Sequence, residues 1–212
     1  MTHTAWLLVA TAGIFAVTDW TAVVRRLDRV EYIAKPAAMI ALIGAALTLT
    51  PHIESRRWAF VVALTFSLLG DVFLMLPRDY FIAGLGSFLV AHAAYIVGLR
   101  IGATDVRPLV VSAIPVVVAA ALIGARVIRS LRGTHPELIA PVSAYIGVIS
   151  VMVASALATG EPLAAFGAVF FMTSDALIAW SRFVNDSLDW APVTIIVTYH
   201  VAQAMLVLSL GL

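Results

Sequence analysis

The sequence contains no cysteine. That excludes disulfides, thiol catalysis, iron–sulfur clusters and zinc–thiolate sites. Charge is nearly as scarce: Asp, Glu, Lys and Arg make up 12% of the chain, where a soluble domain carries about 25%. The net charge is +1, so no basic surface points to nucleic acid or another polyanion. Strongly alternating polar and apolar segments are missing, which argues against an outer-membrane barrel. The N-terminal stretch MTHTAWLLVATAGIFAV lacks a basic start and a clear small-residue cleavage site, so it reads as a first membrane span rather than a removed signal peptide.

Apolar residues fill the space that charge leaves, at 62% of the chain. They come in runs of the ~20 residues that a helix needs to cross ~30 Å of hydrocarbon. Eight such runs predict an all-α, polytopic transmembrane bundle, with residues 1–212 forming one domain. The expected spans are 5–24, 33–50, 57–76, 80–100, 107–126, 136–158, 161–183 and 191–211. Pro51, Pro136 and Pro162 stand where helices should stop or start. The bias of loop arginines sets an expected orientation. Arg25, Arg26, Arg29, Arg78, Arg126, Arg129, Arg132 and Arg182 fall on one side; Arg56, Arg57, Arg100 and Arg107 fall on the other, a split of 8 to 4. The first side is then cytoplasmic, both termini face outward, and the expected location is a bacterial cytoplasmic membrane.

The informative residues are the ionisable ones at membrane depth, where a central Asp or Lys costs ~2.5–3.5 kcal/mol on insertion scales and needs a partner or a wet cavity. Asp19, Lys35, Asp71 and Asp175 are four of these, with His92 and His200 near mid-span. Counted along the spans at ~1.5 Å per residue, Asp19, Asp71, Asp175, Lys35, His92, Tyr145 and Tyr199 fall in one slab of the cytoplasmic half. Each has a structural reading beside the functional one. Lys35 can snorkel to the interface. Asp19 can close a span end by pairing with Arg25 or Arg26. The histidines and tyrosines can be packing residues. Asp71 and Asp175 resist such readings best. Each is deep and follows a small residue, Gly70 or Ser174, that lets a neighbouring helix or substrate approach. A structural ion pair with Lys35 is their main alternative. Phe66-x4-Asp71 in the third span echoes Phe170-x4-Asp175 in the seventh, and the helix after each carries a histidine. Two carboxylates sharing a low-dielectric cavity divide into an acid and a base, which suits metal-free hydrolysis or hydration. Gly84-Leu85-Gly86 lacks the context of a phosphate loop, and no Ser–His–Asp order or His-Glu-x-x-His pair is present.

Ser67-Leu-Leu-Gly70-Asp71-x-x-Leu74-Met75, followed by Phe81-x-x-Gly84-Leu85-x-x-Phe88-x-x-x-His92-x-x-Tyr95, resembles the signature of the YhhN-like proteins, which include the lysoplasmalogenases. Gly167-Ala168-x-x-Phe171-x-x-Ser174-Asp175-x-x-Ile178-Ala179 resembles that family's second acidic helix, and Lys35-Pro36 and Tyr199-x-x-Ala202-Gln203 add weaker matches. Asp19 is outside the pattern. The resemblance implies hydrolysis of the vinyl ether bond of a single-chain (lyso) phospholipid drawn from the lipid bilayer, releasing a fatty aldehyde and glycerophosphoethanolamine or glycerophosphocholine. Asp71 and Asp175 are the expected catalytic pair. Lys35 would meet the phosphate, and Ser67, His92, Tyr95, Tyr145, Ser174, Tyr199 and Gln203 would orient substrate or water. No cofactor and no metal is expected.

Three other readings fit a buried Asp/Lys/His cluster. Intramembrane aspartyl proteases also use two membrane aspartates, but this chain lacks their Gly-x-Gly-Asp and Tyr-Asp motifs. A metal-dependent lipid hydrolase would draw on His92, His200 and the aspartates, and chelators would inhibit it. A small proton-coupled transporter would use the same groups as a relay. A water path reaching both faces marks a transporter, whereas a pocket closed on one side and open to lipid marks an enzyme.

Overall fold

The computed structural model describes residues 2–211, whose elements are helices throughout. They are α1 (His3–Arg25), α2 (Asp28–Thr48), α3 (Glu54–Met75), α4 (Phe81–Arg100), α5 (Arg107–Thr134), α6 (Ile139–Ala158), α7 (Pro162–Phe183) and α8 (Ala191–Leu208). Short 3₁₀ turns precede α6 at Pro136–Leu138 and follow α8 at Ser209–Gly211. All eight helices are long and apolar enough to span a membrane, and the protein is an integral membrane protein.

Local chemistry fixes the helix ends. The Thr2 side chain accepts the Ala5 N–H and caps α1. At the other end Arg26 takes a left-handed conformation, φ 54°, and the Leu27 N–H bonds back to the Ala22 carbonyl at 2.9 Å. The chain thereby reverses within two residues, and Asp28 and Glu31 supply acid to the first turn of α2. This shifts two expected boundaries. The second span begins at Asp28 rather than near 33, so Lys35 and Pro36 lie well inside α2 and not at its start. The fifth runs on to Thr134 rather than stopping near 126. Gly133 and Pro136 end it, and its 28 residues extend ~42 Å, beyond the hydrocarbon core.

Seven helices form a closed ring. α1 packs on α2, α2 on α3, α3 on α4, α4 on α6, α6 on α7, α7 on α8, and α8 returns to α1. α5 stands outside, against α6 and α7. Small residues bring the ring helices close. Ala5, Ala12, Ala16 and Ala22 form the buried stripe of α1, and Ala34, Ala38, Ala41, Ala45 and Ala46 that of α2. At Gly98 of α4 a methyl group would stand 2.7 Å from the Phe60 ring of α3, so only glycine allows that approach. The outward faces carry large apolar residues such as Ile14, Ile33, Ile40, Val97 and Leu122, which lipid covers. On one side of the polar slab, Phe60, Leu64, Tyr95, Met152 and Leu206 fill the ring without accessible surface.

Candidate active site

The polar residues of the ring meet at the arginine-rich end of the bundle. A cavity of about 430 Å³ is lined by Glu31 and Lys35 from α2, Asp71 from α3, Ser174, Asp175 and Arg182 from α7, and Tyr199 from α8, with Phe81 and Phe88 of α4. These positions lie in the first half of α2, α4 and α8 and the second half of α3 and α7, so the cavity lies toward the side of the α1–α2, α3–α4 and α7–α8 turns.

Each aspartate is held by one oxygen. Tyr199 donates its hydroxyl to Asp71 Oδ2 at 2.6 Å. Tyr145 of α6 donates to Asp175 Oδ2 at 2.5 Å, and His92 Nε2 lies 3.1 Å from the same oxygen and 2.9 Å from the Tyr145 hydroxyl. His92 Nδ1 is buried without a partner, so a proton on Nε2 satisfies the Asp175 contact. The Oδ1 of both aspartates has no protein partner and is not among the sealed polar atoms. The helix pairs exchange partners: the aspartate of α3 is held from α8, and that of α7 from α4 and α6. An aromatic frame braces the tyrosines and histidine. Phe171 makes edge-to-face contacts with His92 at 4.7 Å, Tyr199 at 5.4 Å and Phe88 at 6.1 Å.

The other sequence candidates are distributed around this centre. Lys35 reaches the cavity, yet its ion partner is Glu31 at 2.6 Å, one turn back on α2, rather than either aspartate. Ser174 lines the cavity while its hydroxyl donates to the Ile195 carbonyl of α8 at 3.0 Å, tying α7 to α8. Tyr95 and Gln203 pair with each other at 2.5 Å in a fully buried layer one turn away, and Ser67 lies buried one turn before Asp71. These three do not reach the cavity wall. Gln203 Nε2 and Ser67 Oγ have no hydrogen-bond partner. His200 belongs elsewhere: its Nδ1 accepts the Trp20 indole N–H at 3.1 Å. Asp19 does not pair with Arg25 or Arg26. It is 0% exposed and neither oxygen has a hydrogen-bond partner. Among the described residues no group of three or more His, Asp and Glu side chains converges to hold a metal ion.

Two wall residues, Glu31 and Arg182, did not stand out in the sequence, because both sit near span ends where charge is ordinary. Arg182 donates to Asp79 at 2.6 Å and stacks over the Phe81 ring at 4.3 Å. Asp79 also accepts the Phe81 N–H at 3.1 Å, and these bonds hold its carboxyl below the usual carboxylate range. The only sequence signal for Glu31 was its four-residue spacing from Lys35.

The family model described as YhhN family matches residues 30–210. The chain belongs to the YhhN family. Among curated relatives, a lysoplasmalogenase of Mycobacterium tuberculosis is 36% identical over 161 residues, covering 72% of this chain and 60% of that protein. The rat lysoplasmalogenase TMEM86B is 33% identical over 157 residues, covering 73% and 62%. The human lysoplasmalogenase TMEM86B is 31% identical over 147 residues, covering 69% and 61%. The matched part thus spans about three fifths of these relatives' length. No solved structure matches the chain. The YhhN match includes α2 to α8 except the first residues of α2, and leaves Asp19 and α1 outside.

Proposed function

We propose that this YhhN-family protein is a membrane lysoplasmalogenase, acting through Asp71 and Asp175. The observation that carries the reading is one cavity walled by two aspartates from opposite helices, each with one oxygen held by a tyrosine and the other free. The names of its relatives support that substrate class.

In the proposed mechanism, an aspartic acid protonates the vinyl carbon β to the ether oxygen. The double-bond electrons form the new C–H bond and the α carbon becomes an oxocarbenium ion. The second, ionised aspartate stabilises that cation and takes a proton from water as the water oxygen bonds to the α carbon, as paired carboxylates do in glycosidases. The resulting hemiacetal gives its hydroxyl proton to the first aspartate, and the second returns the proton it took from water to the glycerol oxygen as that C–O bond breaks, giving a fatty aldehyde and a glycerophospho-alcohol with both carboxyls restored. Water is the only co-reactant. Asp175 receives two hydrogen-bond contacts, from Tyr145 and His92, and Asp71 receives one, from Tyr199. These unequal surroundings suit a division of the pair into one acid and one base. Lys35 and Arg182 line the cavity mouth and supply positive charge for the phosphate.

A transporter needs a path to the other face. Here the ring beyond the aspartates is packed with Phe60, Leu64, Tyr95 and Met152, which favours the enzyme. The test offers purified protein in detergent a lysoplasmalogen, its ester analogue and its saturated ether analogue. Aldehyde is expected from the vinyl ether alone, and Asp71→Asn or Asp175→Asn should lower turnover by ~10²–10⁴-fold. Full turnover in either folded variant overturns the paired-aspartate mechanism.

A further inference from the structure

Behind Asp175 lies a second, narrower cavity of about 80 Å³, lined by α4, α5, α6 and α7 with Leu74 of α3. Asp175 and Tyr145 are the polar residues on its wall; aliphatic and aromatic groups make up the rest. Leu74, Phe81, Phe88, Asp175 and Ile178 belong to the walls of both cavities, so the carboxylate stands where a polar chamber meets an apolar one. Ala120 and Gly124, one turn apart on α5, line the narrow cavity and also an outer α5–α6 groove, and a Cβ at Gly124 would stand 3.3 Å from Ile146, itself on the narrow cavity's wall. Farther out, Ile123, Met172 and Ala176 are shared with a groove of about 720 Å³ between α5 and α7. α5 is the least buried of the eight helices and packs only against the α6–α7 side of the ring.

We propose that the narrow cavity holds the hydrocarbon chain of the substrate next to the bond that is cleaved, and that Ala120 and Gly124 of α5 set the chain length accepted. This rests on the lysoplasmalogenase reading and deepens it. A dry, aliphatic pocket takes an apolar ligand. A headgroup among Lys35, Arg182 and Glu31 with a chain behind Asp175 places the intervening vinyl ether at the junction, beside the aspartate. The groove between α5 and α7 gives the chain a lateral route from lipid.

The test has two arms. In the first, Ala120→Phe and, as a second pocket-filling variant, Ala179→Leu are compared with wild type on lysoplasmalogens of short and long alkenyl chains. Loss of kcat/KM by ~10-fold or more for long chains, with less than ~3-fold for short ones, is expected from filling a pocket of this kind. Val118→Phe, on the lipid-facing side of α5, should keep the wild-type profile. In the second arm, a saturated ether lysophospholipid bearing a diazirine at its chain end is photolysed with the protein, which requires no turnover. Labels on α5 and α6 that disappear in Ala120→Phe support the proposal. A chain-length profile parallel to wild type in both folded variants, or labels confined to α1–α3, overturns it. Absence of vinyl ether hydrolysis by wild type would sink the enzymatic reading alone, because the labelling arm still locates the chain.

Discussion

Asp19 and Asp175 are both carboxylates in the ring, but their surroundings differ. Asp175 has a tyrosine, a histidine and a cavity; Asp19 has buried apolar neighbours on its own helix and no hydrogen bond. A buried polar group left without a partner costs ~1–3 kcal/mol. Asp19→Asn is therefore expected to leave thermal stability in detergent unchanged or higher, with turnover within ~3-fold of wild type. A clear fall in melting temperature would show instead that the Asp19 charge is paired. Tyr145 provides the converse case. Tyr145→Phe keeps the ring and deletes the donor to Asp175, so a folded enzyme with ~10–100-fold lower kcat is expected. An unchanged kcat would remove Tyr145 from the site. Single residues were only partly legible in the sequence. Asp71 and Asp175 stood out because charge at membrane depth is rare. The roles of Tyr145 and Tyr199 depend on contacts between helices, across the α6–α7 seam for Tyr145 and from α8 to α3 for Tyr199. Arg182 was hidden because an arginine ending a span is commonplace, and only the fold brings it to the same wall as Lys35.

At the scale of helices, glycine sets how closely α3 and α4 approach. Gly98→Ala would drive a methyl into the Phe60 ring, which is 0% exposed and edge-on to Tyr95 at 5.0 Å, so the ring has no free direction to move. A loss of ~1–3 kcal/mol is expected, read as a lower melting temperature in detergent with turnover retained in the cool. Asp79 joins two other elements, capping α4 through the Phe81 N–H while binding Arg182 of α7. Its carboxyl is held below the usual range. The tie is therefore fully present above the ordinary carboxylate range and is lost as pH falls through the lowered folded-state value. Asp79→Asn should remove this acid-side dependence from α4–α7 cross-linking efficiency while leaving the neutral-pH fold intact. Persistence of the dependence in the variant would assign it to another group. The existence of all eight helices was readable from hydrophobic run length, while their limits were not. A two-residue reversal at Arg26–Leu27 and the extension of α5 past its arginines rest on backbone geometry and capping, which hydropathy does not record.

In the whole molecule, a ring of seven helices surrounds a polar end and a packed end, and the eighth helix leans on the outside. The order in which helices close the ring, with α4 meeting α6 and α5 displaced, left no mark in the hydropathy pattern, because every helix of this chain is apolar on its lipid face. The third and seventh spans face each other across the cavity, with Asp71 held from α8 and Asp175 from both α4 and α6. The chamber at Asp175 is polar toward Lys35 and Arg182 and apolar toward α5. For the reaction proposed, that asymmetry amounts to a phase separator. Under that proposal the aldehyde would leave into oil and the glycerophospho-alcohol into water, so the two fragments would not meet again at the site. Dilution into separate media would then make cleavage effectively one-way without any further input of energy.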